Sequence, residues 1–346
     1  MKLIRRILCK QLTMGLYFPF VFFVLSCNHK DLLIEDNELY SLNVAFDFSE
    51  VDNTPSAMRV IFYPLNFSGG PYKFDVSGDG GSVTLPEGNY NVLAYNIDTE
   101  NILEANEDSY NGFYLTTRSY EVATGEVKSN DPTSKARMVR NLFGNQVPKA
   151  AEEEDFPLYD SPEWTCCCRY EGLHLDPQYK SVTTDGVRQQ SMLLKAQNAV
   201  YAVNFEVGGI EGLEWASHIR GTLSGIAGGM MVAECQPAPL PGMVSFTAKV
   251  DKERSVITGT FFVWGYVPSD ESDTRQFMDI YIWGNTGNYF LTQEVTDILH
   301  KASEVGSASI MINMKADIDM MDEAEGDSGF KPNVGDWEEH HNSISL

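Results

Sequence analysis

The chain has 346 residues, with 49 Asp and Glu against 25 Lys and Arg, a formal net charge of −24. An acidic excess of that size repels phosphate backbones and anionic headgroups, which excludes nucleic acid as a partner. Hydrophobic residues at 43% and aromatics at 12% suffice for packed cores and exclude a disordered chain.

Lys2, Arg5, Arg6 and Lys10 precede an apolar run from Leu16 to Leu25 that only Pro19 interrupts. This is the layout of a secretory signal. A spanning helix needs roughly 20 apolar residues, and this run stops at Ser26, with Cys27 directly behind it and Asn28, His29, Lys30 and Asp31 following. Val24-Leu25-Ser26-Cys27 resembles a bacterial lipobox, whose cysteine is acylated on sulfur and becomes the new N-terminus. Residues 1–26 are therefore expected to be a signal peptide and Cys27 the lipidation site, tied to the cell outer membrane by its lipid anchor. Several acyl chains hold far more firmly than one. The signal region carries four cationic side chains and no acid, so the chain from Cys27 onward has a charge of −28 against −24 for the whole.

About 320 mature residues fit two domains of ordinary size. From residue 42 the apolar pattern has period two, the signature of half-buried strands. Leu42, Val44, Phe46 and Phe48 form one such set, followed by Met58, Val60 and Phe62, then Tyr72, Phe74 and Val76, then Val83 and Leu85, then Tyr90, Val92 and Ala94. The stretches Asn66 to Pro71, Ser77 to Gly81 and Pro86-Glu87-Gly88 carry turn chemistry. A strand around Gly112 to Thr117 closes this N-terminal β-sandwich, residues 27–125.

Residues 126–190 lose the alternation and gather Pro132, Pro148, Pro157, Pro162, the run Glu152 to Asp155 and the cysteine triplet. They are expected to be an irregular connector. Alternation resumes at Tyr201, Val203, Phe205 and Val207. Strands follow around Leu223 to Val232, Val244 to Ala248, Val256 to Val267, Met278 to Trp283, Tyr289 to Leu291 and Ser309 to Met314. One short helix is predicted after Thr296 as its cap, with Ile298, Leu299 and Ala302 on one face. The fold expected is all-β, a C-terminal β-sandwich over 191–346 completing a pair with the first.

Motifs for phosphate cradling, zincin and α/β-hydrolase chemistry are missing, so no catalytic residue, cofactor or metal site is assigned and the chain reads as a non-enzyme. Asp75 to Gly80 matches the first six positions of a calcium loop, but its twelfth position is Pro86. A hairpin turn at Asp79-Gly80-Gly81 is the simpler reading. The six histidines are scattered, and Glu338-Glu339-His340-His341 reads as a solvated tail. Phe262, Trp264 and Tyr266, and Tyr281 with Trp283, have strand spacing. Sugar stacking is one use of such aromatics and core packing the other, which is favoured because large aromatics fill sandwich interiors. Cys166, Cys167 and Cys168 cannot readily share a metal, because neighbours on a strand face opposite ways. Either one of them bridges to Cys235, or all four remain thiols.

Ser26 to Leu32, Met58 to Pro64, Leu85-Pro86-Glu87-Gly88-Asn89-Tyr90 through Asn96, Leu223 to Gly229, Glu294-Val295-Thr296-Asp297 and Gly329-Phe330 through Glu338 together resemble a Bacteroides lipoprotein family of unknown function within the fimbrillin superfamily. That family is similar to the fimbrial anchor lipoproteins of Bacteroidales. The resemblance implies two transthyretin-like, Greek-key sandwiches, a structural role in a fimbria-like surface assembly, and fimbrial subunits as partners by strand addition. The alternative is a stand-alone surface adhesin or glycan-binding lipoprotein, and a third is an envelope hydrolase. In fimbrial stalk subunits cleavage after a basic residue removes an N-terminal strand. Here no Arg lies between Cys27 and Arg59, which begins an expected core strand, so the chain is expected to stay intact.

Overall fold

A computed structural model describes residues 39–66, 69–120, 156–175, 190–267, 275–285, 287–304, 309–320 and 338–339. The signal segment, Cys27, Lys30, the acidic runs at 152–155 and 321–327 and the histidines at 340 and 341 lie outside them. In chain order the first strands are β1 (Leu39–Asp47), β2 (Ala57–Pro64), β3 (Tyr72–Ser77), β4 (Gly81–Pro86), β5 (Gly88–Asn96), β6 (Leu103–Ala105), β7 (Tyr114–Thr116), β8 (Ser119–Tyr120), β9 (Leu158–Asp160), β10 (Cys166–Leu175) and β11 (Gln190–Asn198). Then come β12 (Tyr201–Glu211), β13 (Ala216–Ala227), β14 (Gly229–Met231), β15 (Gln236–Pro237), β16 (Pro241–Thr247), β17 (Lys249–Asp251), β18 (Val256–Val263), β19 (Phe277–Gly284) and β20 (Asn288–Glu294). The helix α1 (Thr296–Glu304), β21 (Ser309–Asp319) and β22 (Glu338–Glu339) complete the set.

The alternating residues of the first half fold as expected. Tyr40, Leu42 and Val44 of β1, Met58, Val60 and Phe62 of β2, and Tyr90, Val92 and Ala94 of β5 are all buried in one core. The sheet that carries them runs β3-β2-β5-β10-β11-β1-β4. Since strands from both its ends contribute to the same core, the sheet closes around it as a sandwich.

The Ser77 to Gly81 turn corrects one expectation. A single bridge pairs Ser77 with Gly80, but β3 then pairs with β2 and β4 with β1, so the turn is a corner between opposite edges and not a hairpin ladder. Gly80 makes the corner possible. Its φ is +96°, and a Cβ there would lie 2.3 Å from the Val44 carbonyl oxygen, where no side chain fits. In the next connection the Tyr90 hydroxyl donates to the Pro86 carbonyl at 2.8 Å, fixing the corner between β4 and β5 from inside the core. The tyrosine corners of other Greek-key sandwiches use the same device.

The 126–190 connector expectation fails where the structure describes that stretch. Cys166–Leu175 forms a strand in the middle of the first sheet, antiparallel to both β5 and β11. The buried Asn96 starts it by accepting the Cys166 N–H at 2.8 Å. Three consecutive buried residues hide the strand from a period-two search, because both of its faces pack. Leu158–Asp160 is a strand too, parallel to β16 in the sheet β22-β20-β19-β13-β16-β9-β8. The Tyr159 ring lies over Gly228 and Gly242, whose missing side chains make room for it.

The second core sits between that sheet and β17-β18-β12-β21, with Phe205, Phe246, Ile257, Ile280 and Ile312 inside. Leu299 of α1 is buried against it and Ile298 is half-buried, as expected of one apolar face. Thr296 is the first helical residue and not the cap, and its hydroxyl accepts the Gln276 N–H at 2.9 Å. A small sheet, β15-β14-β7-β6, packs on the other face of the first sheet. Strands from before residue 125 thus pair with strands from after residue 191, and the two halves interleave.

Candidate functional site

Cys27 lies outside the described residues, and β1 is the first strand the structure describes after it. β1 is held along both edges, parallel to β11 from Leu42↔Gln190 to Asp47↔Lys195 and antiparallel to β4 from Leu39↔Pro86 to Val44↔Gly81. Its inward side chains are core residues. Pulled from its N-terminus, such a strand is loaded in shear, with the hydrogen bonds of both ladders resisting together and not one at a time.

Arg59 lies in β2, whose backbone is paired on both sides, with Asp75 in β3 and Tyr95 in β5 opposite it. Its guanidinium contacts Asp75 at 2.7 and 2.9 Å and Glu104 at 2.6 Å. The buried Tyr95 hydroxyl donates to the same Glu104 carboxylate. The pairing with Asp75 raises the Arg59 pKa and lowers that of Asp75. This occupies the first acid of the calcium-loop match, while Asp79 stands exposed in the corner.

The cysteine triplet divides between two cores. Cys166 and Cys168 point into the first sandwich, and Cys167 points the other way among Leu93, Phe113 and Met230. This is the facing that the strand argument required. Burial pushes the Cys166 thiol up to about 12. Cys167 meets Cys235 with 3.4 Å between sulfurs. The Cys167 pKa is raised by that hydrogen bond and by burial, whereas the bond and the nearby Arg169 lower that of Cys235. No group of His, Cys, Asp or Glu among the described residues could hold a metal ion.

Core packing accounts for most of the aromatics singled out above. Trp264 and Tyr281 are fully buried, while Phe262, Tyr266 and Trp283 are half-buried. Among the described residues Trp215 is the exposed tryptophan, standing alone on a short 3₁₀ turn. A cavity of ≈ 210 Å³ opens beside Tyr201, Tyr266, Leu299 and Ile310. Its lining is mainly apolar, a poor match for the hydroxyls of a sugar. Asp279 is the one buried carboxylate among the described residues, and His174, His218 and His300 are exposed.

Sequence reasoning did not foresee the edges. β21 ends its sheet, pairs in parallel with β12, and at eleven residues is the longest of the described edge strands. Its residues alternate strictly, with Met311, Asn313, Lys315 and Asp317 exposed and Ile310, Ile312, Met314 and Ala316 buried. No helix among the described residues is long and apolar enough to cross a membrane.

Comparison with known proteins sets this geometry in a family. Over 85 residues the chain is 36% identical to a Bacteroides ovatus protein described as "Putative fimbrium anchoring subunit Fim4B", a match covering 24% of this chain and 25% of that one. The chain therefore spans about a quarter of that curated relative's length. Its fold is similar to the crystal structure of "a putative adhesin from Bacteroides ovatus", with a TM-score of 0.56 and 17% identity over 85% of this chain and 97% of the other. A family model matches residues 26–246, more than half of the chain, and the chain belongs to that family, the domain of unknown function DUF5119.

Proposed function

We propose that this protein is an outer-membrane lipoprotein, acylated at Cys27, that serves as an anchor or accessory subunit of a fimbria-like surface polymer. The observation that carries the reading is its identity to the B. ovatus relative described as a fimbrium anchoring subunit. Three features of the chain support it. The lipobox-like Val24 to Cys27 supplies a tether. β1 then takes the load in shear between two ladders. Among the described residues no strand lies on the outer side of β21, which leaves room there for an incoming strand, the means by which β-subunits add to one another.

The same geometry supports a chain that stays intact. A protease reaching the bond after Arg59 would have to open β2 from both β3 and β5. It would also release β1, and with it the lipid.

Deleting the gene tests the role. The reading expects filaments, or their major subunit, to move from the cell fraction into the culture medium, seen by electron microscopy with proteomics of both fractions. Normal filaments on the cells with unchanged fractions would discard it.

A further inference from the structure

We propose that Cys167 and Cys235 form a disulfide in the exported protein, locking the central strand of the first sheet to the turn that follows β14. Of the triplet, only Cys167 can reach Cys235. Cys166 and Cys168 face the opposite core, and turning either of them over would require β10 to slip by one residue against both β5 and β11.

Both ends of the bridge are held in place before it forms. Cys167 lies in a strand paired on each side, opposite Tyr95 and Gln197. Cys235 ends the tight turn Val232-Ala233-Glu234-Cys235 in a left-handed backbone conformation, φ +50°, with its N–H donating to the Val232 carbonyl at 3.4 Å. Arg169, two residues beyond Cys167 on β10, donates to the Ala233 carbonyl at 3.0 Å and pins that turn to the strand. The sulfurs stand 3.4 Å apart, so a small side-chain rotation brings them to bonding distance.

Access is one-sided. Cys167 is fully buried and Cys235 is half-exposed, so Cys235 is the thiol an oxidant meets. Its thiolate attacks a disulfide of an envelope thiol oxidase, forming a mixed disulfide and releasing one thiol of the oxidase. Cys167 then loses its proton and attacks the Cys235 sulfur, which expels the second thiol. The protein loses two electrons and two protons, and the oxidase disulfide becomes a dithiol. The inference rests on the export reading for its oxidising compartment.

The test is peptide mapping of the full chain from fractionated cells, acid-quenched and alkylated in denaturant. The result expected is alkylation at Cys166 and Cys168 alone, with Cys167 and Cys235 joined, so that blocked thiols at these four positions fall from four to two. In Cys235→Ser all three triplet thiols should be blocked, and in the Cys166→Ser/Cys168→Ser variant the bridge should persist. Four blocked thiols in envelope protein, or a bridge to Cys166 or Cys168, would overturn the proposal. Should the chain be found in the cytoplasm, export fails separately. The pair is then read by oxidised glutathione on the purified chain, where a 167–235 bridge upholds the geometry and four blocked thiols overturn it.

Discussion

Arg59 and Asp75 face each other across β2 and β3 in a fork, Nε to Oδ1 at 2.7 Å and Nη2 to Oδ2 at 2.9 Å. Arg59 is mostly covered, with 27% of its side chain exposed, while Asp75 is 52% exposed, so solvent screens the pair. Its net contribution is at most about 1 kcal/mol. The Asp75 pKa is lowered on folding by this partner. The stabilisation is therefore complete above the ordinary value of 3.8 and is lost as pH falls below it, through the lower folded value. Asp75→Asn should lower the unfolding free energy modestly at pH 7 and by a smaller amount at pH 2. An equal loss at both pH values in urea titrations would mean that the carboxylate's charge is not what the site uses.

The corners that bracket β4 make a second prediction. Tyr90→Phe removes one buried hydrogen bond to the Pro86 carbonyl, which costs about 0.5–1.5 kcal/mol. Gly80→Ala forces a side chain into a positive-φ site against the Val44 carbonyl, for a further loss of roughly 1–3 kcal/mol. Because Gly80 abuts β1 at the Val44 carbonyl, hydrogen exchange along β1 should quicken in Gly80→Ala relative to the native chain. Unchanged exchange along β1 would place the Gly80 contact outside the β1 edge.

The outer edge of β21 is the surface on which strand addition is expected. Met311→Glu with Asn313→Glu changes two exposed side chains and leaves the buried set of β21 untouched. Stability should move by less than about 0.5 kcal/mol per site. Recovery of fimbrial subunits with the chain after chemical cross-linking in cells should fall several-fold. Unchanged recovery, with the folded chain intact, would move the partner surface elsewhere.

How far the residues alone revealed this molecule depends on burial. Strands with one solvated face declare themselves, as Leu42, Val44 and Phe46 do in β1, and the predicted helix after Thr296 forms for the same reason. β10 stays hidden because Cys166, Cys167 and Cys168 are all buried, two in one core and one in another, so no polar residue marks the alternation. β9 stays hidden because three residues carry no period, and it exists only through β8 and β16. Of the site, strand geometry says that neighbouring cysteines face opposite ways once they lie on a strand, but that Cys166 to Cys168 form one was not legible, and the triplet was expected in the connector. The approach of Cys235 from 68 residues away was not, since it depends on how the small sheet packs. Nor was the edge position of β21, which depends on which strands stop short of it.

The anchor is the centre of the account, and Cys27→Ala addresses it directly. Cells carrying this change in place of the native chain should release the protein into the soluble fractions, and filaments should appear in the medium together with it or free of it. A Cys27→Ala chain that stays in the outer-membrane fraction, with filaments still on the cells, would contradict the lipid anchor and the role built on it.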